Sequence, residues 1–337
     1  METNKLPLVS IQCLVYNHEP YLRQCLDGFV MQKTNFKFEA IVHDDVSTDG
    51  SAAIIREYAE KYPDIIKPIF EIENQYSKHD GSLDRIMRDA CKGKYIALCE
   101  GDDYWIDPLK LQKQFEYMES YPECSLLHTS FQFYTQHDGM FHDSKIDQEA
   151  YELNQRENRN IACEILDFKY RVVTATSFFK YETYNKLIND EYYNRYKFML
   201  GDIQLWAMLL QSGRIGYLPD VTAVYRVHAD SACRQVDMKC DARMCLSISE
   251  MQLHFLPKVR GGESLKDKFS AQFRKNLFKY RLFEPQYISF ISDNDCKLNI
   301  LVSILLKFSL IRSLMVQCLK YKRLVFKNSP VKVKSIE

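Results

Sequence analysis

Three short apolar runs, each ending in a dense polar cluster, constrain this chain more than any other feature. Leu8 to Val15 (LVSIQCLV) runs into YNHE, Phe38 to His43 (FEAIVH) into DDVSTDG, and Lys94 to Cys99 (KYIALC) into EGDD. Continuous apolar, β-branched runs of this length read as strands buried on both faces. Between them lie helical patterns. Leu22, Cys25, Leu26 and Phe29 recur at helical spacing, Ser51 to Tyr62 forms a second helix stopped by Pro63, and Leu83 to Ala90 forms a third. Ile65 to Phe70 adds a further strand. Strands alternating with helices imply βαβ units and an α/β fold with a doubly wound, mostly parallel sheet. In such sheets ligands bind beyond the carboxyl ends of the strands, so all three polar clusters converge on one rim.

Residues 131 to 165 are polar and weakly periodic and read as a loop. Apolar order resumes at RVVTATSFFK, continues through a helix around Asp202 to Gln211, and ends in a strand near Val221 to Val227. Beyond Ala229 the pattern is helical. Two regions follow: 1–230 as a sheet-based domain, and 231–337 as a helical extension ending in a basic amphipathic tail. The 337 residues are 46% hydrophobic and 27% charged, which excludes disordered, collagen-like and polytopic membrane classes. A net charge of zero gives no support to a nucleic-acid binder. That zero divides unevenly: from Lys297 onward nine Lys/Arg face one acid, Glu337, so the tail is +8 and the rest −8. Eleven scattered cysteines without a CxxC pair read as reduced, mostly buried thiols of a cytoplasmic protein, and the N-terminus carries no secretory pattern.

Glu100, Asp102 and Asp103 crowd one strand end. Packed carboxylates repel unless a cation neutralises them, and hard oxygen ligands in an open site suit Mg²⁺ or Mn²⁺ shared with phosphates. A solvated acidic loop or a helix cap is the competing reading. Asp44 and Asp45 either cap the following helix or accept hydrogen bonds from a nucleobase or ribose. No glycine-rich phosphate loop follows any strand, so a nucleotide here is held by side chains and a metal.

The ordered segments VSIQCLVYNHEPYLRQCLDGFVMQ, VHDDVSTDGS, YIALCEGDDYW and GDIQLWAMLLQSGRIGYLPDVTAVYRVH closely resemble family 2 glycosyltransferases of the GT-A fold, over residues 7 to 228. The resemblance implies sugar transfer from a nucleotide-diphosphate donor to an acceptor hydroxyl, with inversion at the anomeric carbon. It places Tyr16 against the donor base, with Asn17 beside it and Glu19 lining the nucleotide pocket. Asp45 becomes the carboxylate that bonds the base, and Asp44 the support of that turn. EGDD matches the family's DxD metal motif with Glu100 in place of the first aspartate. Asp102 is then the metal ligand, and Asp103 and Glu100 lie in the donor site. His228, which ends YRVH after the last strand, is a candidate to complete the metal shell or contact the diphosphate, with a structural role the competing reading, and Arg226 is placed to offset phosphate charge. Asp202 of GDIQLW aligns with the catalytic base, its usual preceding acid replaced by Gly201. Trp206 and Trp105 are candidates for lining the sugar or acceptor pocket, with core packing the competing reading for Trp206, and Arg85 lies where the family touches the donor. Residue 15, commonly proline in the family, is Val15.

From Leu298 to Leu319, 15 of 22 residues are apolar, but Lys307 and Arg312 fall near the middle. Each would cost about 2.5–3.5 kcal/mol to insert, so a helix lying on an anionic membrane surface fits better than a span. Packing against the protein is the competing reading. Several transmembrane helices and a Gln-x-x-Arg-Trp motif, the marks of processive synthases, are absent, and a single-addition enzyme acting on a saccharide or lipid-linked acceptor is expected. A sugar nucleotidyltransferase and a catalytically silent nucleotide-sugar-binding protein are the alternatives.

Overall fold

A computed structural model describes residues 6–78, 80–143, 161–196, 198–228, 237–289, 291, 309 and 311–317. The first strand, β1 (Val9–Val15), lies between β2 (Phe38–Asp44) and β4 (Tyr95–Leu98), parallel to both, and β3 (Ile66–Phe70) is parallel to β2 at the edge. Val9, Ile11, Cys13 and Val15 are buried on one face of β1, and Ser10 and Gln12 on the other. The polar positions Ser10 and Gln12 are tolerated there because each has a buried partner, Glu39 and Cys91. The helix α1 (Glu19–Val30) covers the sheet with Leu22, Cys25, Leu26 and Phe29, as its spacing predicts. Fully burying its two leucines and one phenylalanine contributes about 1.5–3 kcal/mol each. On the same pattern α2 (Ser51–Lys61) ends two residues before Pro63, and α3 (Ser82–Ala90) leads into β4.

Beyond β4 the sheet is mixed. A short β5 (Tyr104–Trp105) is followed by α4 (Lys110–Ser120), then β6 (Cys124–Thr135) and β7 (Met140–Asp143). After α5 (Ile161–Leu166) and a 3-10 turn at Thr174–Thr176 come β8 (Phe178–Lys180), α6 (Tyr181–Ile188), α7 (Glu191–Asn194), α8 (Gly201–Leu209) and β9 (Arg214–Val227). The strand order is β3-β2-β1-β4-β8-β6-β9-β5, with β7 on β6. Strand β8 is antiparallel to β4 and β6, while β6 and β9 are parallel to each other. Two reversals across β8 return β6 to the direction of β1, so β1, β2, β4, β6 and β9 all end on one rim.

Part of the stretch expected to be a loop is a hairpin. Gln132–Thr135 pairs with Met140–Asp143 around Asp138-Gly139, where Gly139 takes φ +68°. Met140 and Phe141 stand exposed, so the hairpin lacks the one-sided burial that makes strands legible. The last strand is also longer than the Val221–Val227 expected, at 14 residues.

The chain divides into two compact units. The larger comprises residues 1–197, 201–231 and 258–260, and the smaller residues 198–200, 232–257 and 261–337. In the smaller, α9 (Met238–Phe255) and α10 (Lys266–Arg281) pack through Ala242, Leu246, Phe273, Leu277 and Tyr280. Glu250, buried there, accepts from Arg243, Tyr287 and Ser289. Of the basic tail, residues 311–317 are helical and most of the remainder lies outside the described residues. No helix among the described residues is long and apolar enough to cross a membrane.

His128 on β6 is buried, its Nε2 2.7 Å from the Tyr170 hydroxyl. Burial pushes its pKa down to about 4 from an ordinary 6.5. Between these values the unfolded chain binds a proton that the folded chain refuses, so stability is lost as pH falls from 6.5 towards 4. The full loss is about 3 kcal/mol. Urea unfolding of a His128→Gln variant is expected to show a correspondingly shallower decline than the parent over that window.

Candidate active site

The β1–α1 and β2–α2 loops are stitched together along the rim. Asn17 N donates to Ser47 Oγ at 2.9 Å, and Thr48 N to Asn17 Oδ1 at 2.7 Å. One step on, Glu19 N donates to Asp49 Oδ2 at 3.0 Å and Gly50 N to Glu19 Oε2 at 2.7 Å. Asn17 adopts φ +56°, tolerable for asparagine, and Val46 φ +66°, a strained value for a β-branched residue. Side chains of Asn17 and Glu19 thus hold the neighbouring loop, while Tyr16 stands 51% exposed above it.

Asp44 and Asp45 are both buried at the end of β2. Asp45 accepts from Gln75 N at 2.6 Å and Tyr76 N at 3.0 Å, one bond per oxygen, and so pins the 75–76 backbone over the rim. Asp44 Oδ2 accepts from Ser47 N at 3.3 Å, and its Oδ1 is buried without a partner. Asp44 thus keeps an acceptor oxygen without a partner, while Asp45, the carboxylate the resemblance assigns to the base, spends one bond per oxygen on the 75–76 backbone. Arg85, on the first turn of α3, is exposed and donates to Asp80 O at 3.1 Å.

Glu100, Asp102 and Asp103 present carboxylate oxygens within 4.8 Å of one another. Burial, then the charges of Asp102 and Asp202, raise the Glu100 pKa to about 8, against a hydrogen bond from Thr174. Burial also pushes Asp102 upward, but the hydrogen bond from His228 and the charges of His18 and His228 prevail, and its pKa is lowered. His228 Nε2 lies 3.0 Å from Asp102 Oδ2, and its buried Nδ1 has no partner. Asp103 is buried, which together with Asp102 and Glu100 holds its pKa well above the carboxylate range. Crowded hard oxygens with an adjoining imidazole are a donor set that a divalent cation fits, since neutralisation relieves their repulsion. Asp202, at the start of α8, is close enough to Glu100 to raise its pKa, and is itself raised by burial. At Gly201 an added Cβ would meet nothing within 4 Å, so the missing acid leaves open space.

Three expected ligand contacts are corrected. Arg226 is buried beneath the acidic loop. Its Nε donates to Asp102 O (2.9 Å), Nη1 to Gln136 (3.2 Å) and Nη2 to Gln24 (2.7 Å), while its backbone N donates to Asp103 Oδ1 (2.8 Å). The guanidinium is also ringed by Tyr21, Tyr104 and Tyr134, so it shapes the loop and does not face a phosphate. Trp206 is fully buried against Phe179, because α8 is buried on all sides from Ile203 to Leu209. Trp105 is likewise buried and donates Nε1 to Ala175 O.

Sequence reasoning passed over His18, the histidine of YNHE. Its Nδ1 is buried without a partner, and burial lowers its pKa against the attraction of Asp102. Gly101 is what admits it: a Cβ there would lie 2.7 Å from His18 Nδ1 and 3.1 Å from Val15 Cγ2. The glycine inside EGDD was the available signal.

Fold and rim together define a GT-A transferase. The chain belongs to glycosyl transferase family 2, whose family description (Glycosyl transferase family 2) matches residues 10–183, just over half of it. An uncharacterised Mycobacterium tuberculosis protein is 35% identical over 222 residues, covering 66% of this chain, and the chain covers 59% of that relative's length. The solved structure of S. aureus TarS 1-349 with UDP-GlcNAc is similar in fold, at TM-score 0.54 and 15% identity over 82% of this chain and 73% of that one. The mannosyltransferase PcManGT from Pyrobaculum calidifontis, with GDP-Man and Mn²⁺, gives TM-score 0.52 at 15% identity over 96% and 88%.

Gly101→Ala is expected to cost about 1–3 kcal/mol through overpacking against His18 and Val15, read as a lowered urea midpoint with an unchanged slope.

Proposed function

We propose that residues 1–230 transfer one sugar from a nucleotide-diphosphate donor to a hydroxyl of a saccharide or lipid-linked acceptor, inverting the anomeric carbon, in surface polysaccharide or glycolipid synthesis. The observation that carries this reading is the convergence of Glu100, Asp102 and Asp103 within 4.8 Å on the rim, with His228 3.0 Å from Asp102. Asp102, with Glu100 and His228 beside it, would hold a Mg²⁺ or Mn²⁺ ion. Such an ion, when bound, supplies charge neutralisation to the departing diphosphate. PcManGT, with GDP-Man and Mn²⁺, and TarS, with UDP-GlcNAc, support a nucleotide-sugar donor by analogy.

Asp202 accepts the proton of the acceptor hydroxyl as its oxygen bonds to the anomeric carbon. The bond from that carbon to the diphosphate oxygen breaks, and the nucleoside diphosphate leaves with the electron pair. A carboxylate held above its ordinary pKa by burial is the stronger base for this step. Asp44 accepts an N–H of the donor base, Tyr16 stacks on that base, and Asp45 keeps the 75–76 segment in place beside it. Arg226 keeps the acidic loop folded. The helical region 231–337 carries the basic tail, which rests on an anionic membrane surface at the cytoplasmic face.

A donor screen with Mn²⁺ or Mg²⁺, scored by nucleoside diphosphate release, tests the reading. Asp202→Asn is expected to lower turnover by about 10²–10⁴-fold, the usual worth of a general base, with donor affinity retained. Asp102→Asn is expected to remove the metal response. Parent-like turnover in both variants would sink the mechanism, and no release from any donor by the parent would favour a silent binding protein. Asp44→Asn is expected to weaken binding of the nucleoside diphosphate identified by that screen, at parental stability. Asp45→Asn, which frees the 75–76 backbone, is expected to lower the melting temperature as well.

A further inference from the structure

A buried polar relay lies behind the acidic rim, and the chemistry above does not use it. Lys110, at the start of α4, is fully buried; its Nζ donates to Gln114 Oε1 at 2.6 Å and lies 4.7 Å from the centroid of the Trp105 ring. Gln114, also fully buried, donates from Nε2 to Thr176 O at 2.9 Å. Trp105 Nε1 donates to the preceding carbonyl, Ala175 O, at 2.8 Å. Two successive carbonyls of the 174–176 turn therefore hang from α4 and β5. The turn packs against β4, the strand that runs into Glu100.

A lysine is a costly way to fill a core, and methionine would serve packing alone. What methionine could not do is orient an amide. The two ends of the Gln114 carboxamide have opposite polarity, and only the amino end satisfies Thr176 O. Burial lowers the Lys110 pKa to about 7, but charged or neutral its Nζ–H groups donate, so Lys110 holds Oε1 towards itself and leaves Nε2 aimed at the turn. The turn is wound tightly enough to transmit this. Thr176 Oγ1 donates to Val173 O at 2.7 Å, and Ser177 Oγ donates to Thr174 O at 2.8 Å. We propose that Lys110 and Gln114 are positioning residues that fix how the 174–176 turn packs beside β4, just ahead of Glu100, and so shape the acceptor side of the rim, an inference that rests on the transferase reading above for its acceptor.

Full-length Gln114→Glu, Lys110→Met and the double variant Lys110→Met/Gln114→Leu test this. Amide hydrogen exchange read by mass spectrometry is expected to quicken at least about tenfold across residues 173–179 in all three, with residues 9–15 and 38–44 at parental rates. The double variant, which leaves no polar side chain unpaired but still orphans Thr176 O, is expected to keep the fast exchange even where it regains part of the stability that Lys110→Met loses. In turnover assays the acceptor KM is expected to rise about tenfold with the donor KM unchanged. Recovery of both stability and protection in the double variant would reduce the pair to fold support and overturn the proposal. Unchanged exchange in Gln114→Glu, or a donor KM that rises equally, would overturn it too. Exchange needs no substrate, so a failure of the transferase reading is distinguishable from a failure of this one.

Discussion

Three carboxylates within 4.8 Å of one another, at the end of a buried strand, are the constraint on which the rest of the site depends. Like charges this close in a desolvated place cannot all remain ionised without help. The fold supplies that help in layers. His228 hydrogen-bonds Asp102, Arg226 ties down the loop backbone and Asp103, and the 3-10 turn at 174–176 packs against β4. Each helper comes from a part of the chain far from EGDD, so the cluster becomes tolerable only once β9 has paired with β5 and the 174–176 turn has packed on β4.

That dependence explains which parts of the site were legible in the sequence. Val9–Val15, Phe38–Asp44 and Tyr95–Leu98 were readable because burial leaves short, mostly apolar and β-branched runs. Their polar ends then located the rim through the open-sheet rule. The family resemblance supplied Asp102 and Asp202, residues whose surroundings are set by the strands they follow or precede.

Residues acting through tertiary contacts were not readable. Arg226 sits in a strand beside a polar rim and looks like a phosphate ligand, yet three tyrosines and two glutamines from distant segments turn it inward. Trp206 follows the proposed base by one turn of helix, but α8 is buried all round, so proximity in sequence does not become proximity to the ligand. The hairpin at residues 132–143 escaped for the opposite reason, because its exposed faces leave no apolar periodicity to detect. Lys110 and Gln114 carry no motif at all, and only the orientation of one amide reveals what a buried lysine is for.

The reciprocal hydrogen bonds joining Asn17 and Glu19 to residues 47–50 have a consequence for how such a site could diverge. The two loops belong to adjacent parallel strands, and each satisfies the other's backbone. One loop cannot be reshaped without orphaning polar groups in its neighbour. Changes along this seam should therefore arrive as paired substitutions, while the 174–176 turn and α8, which share none of these bonds, can change singly.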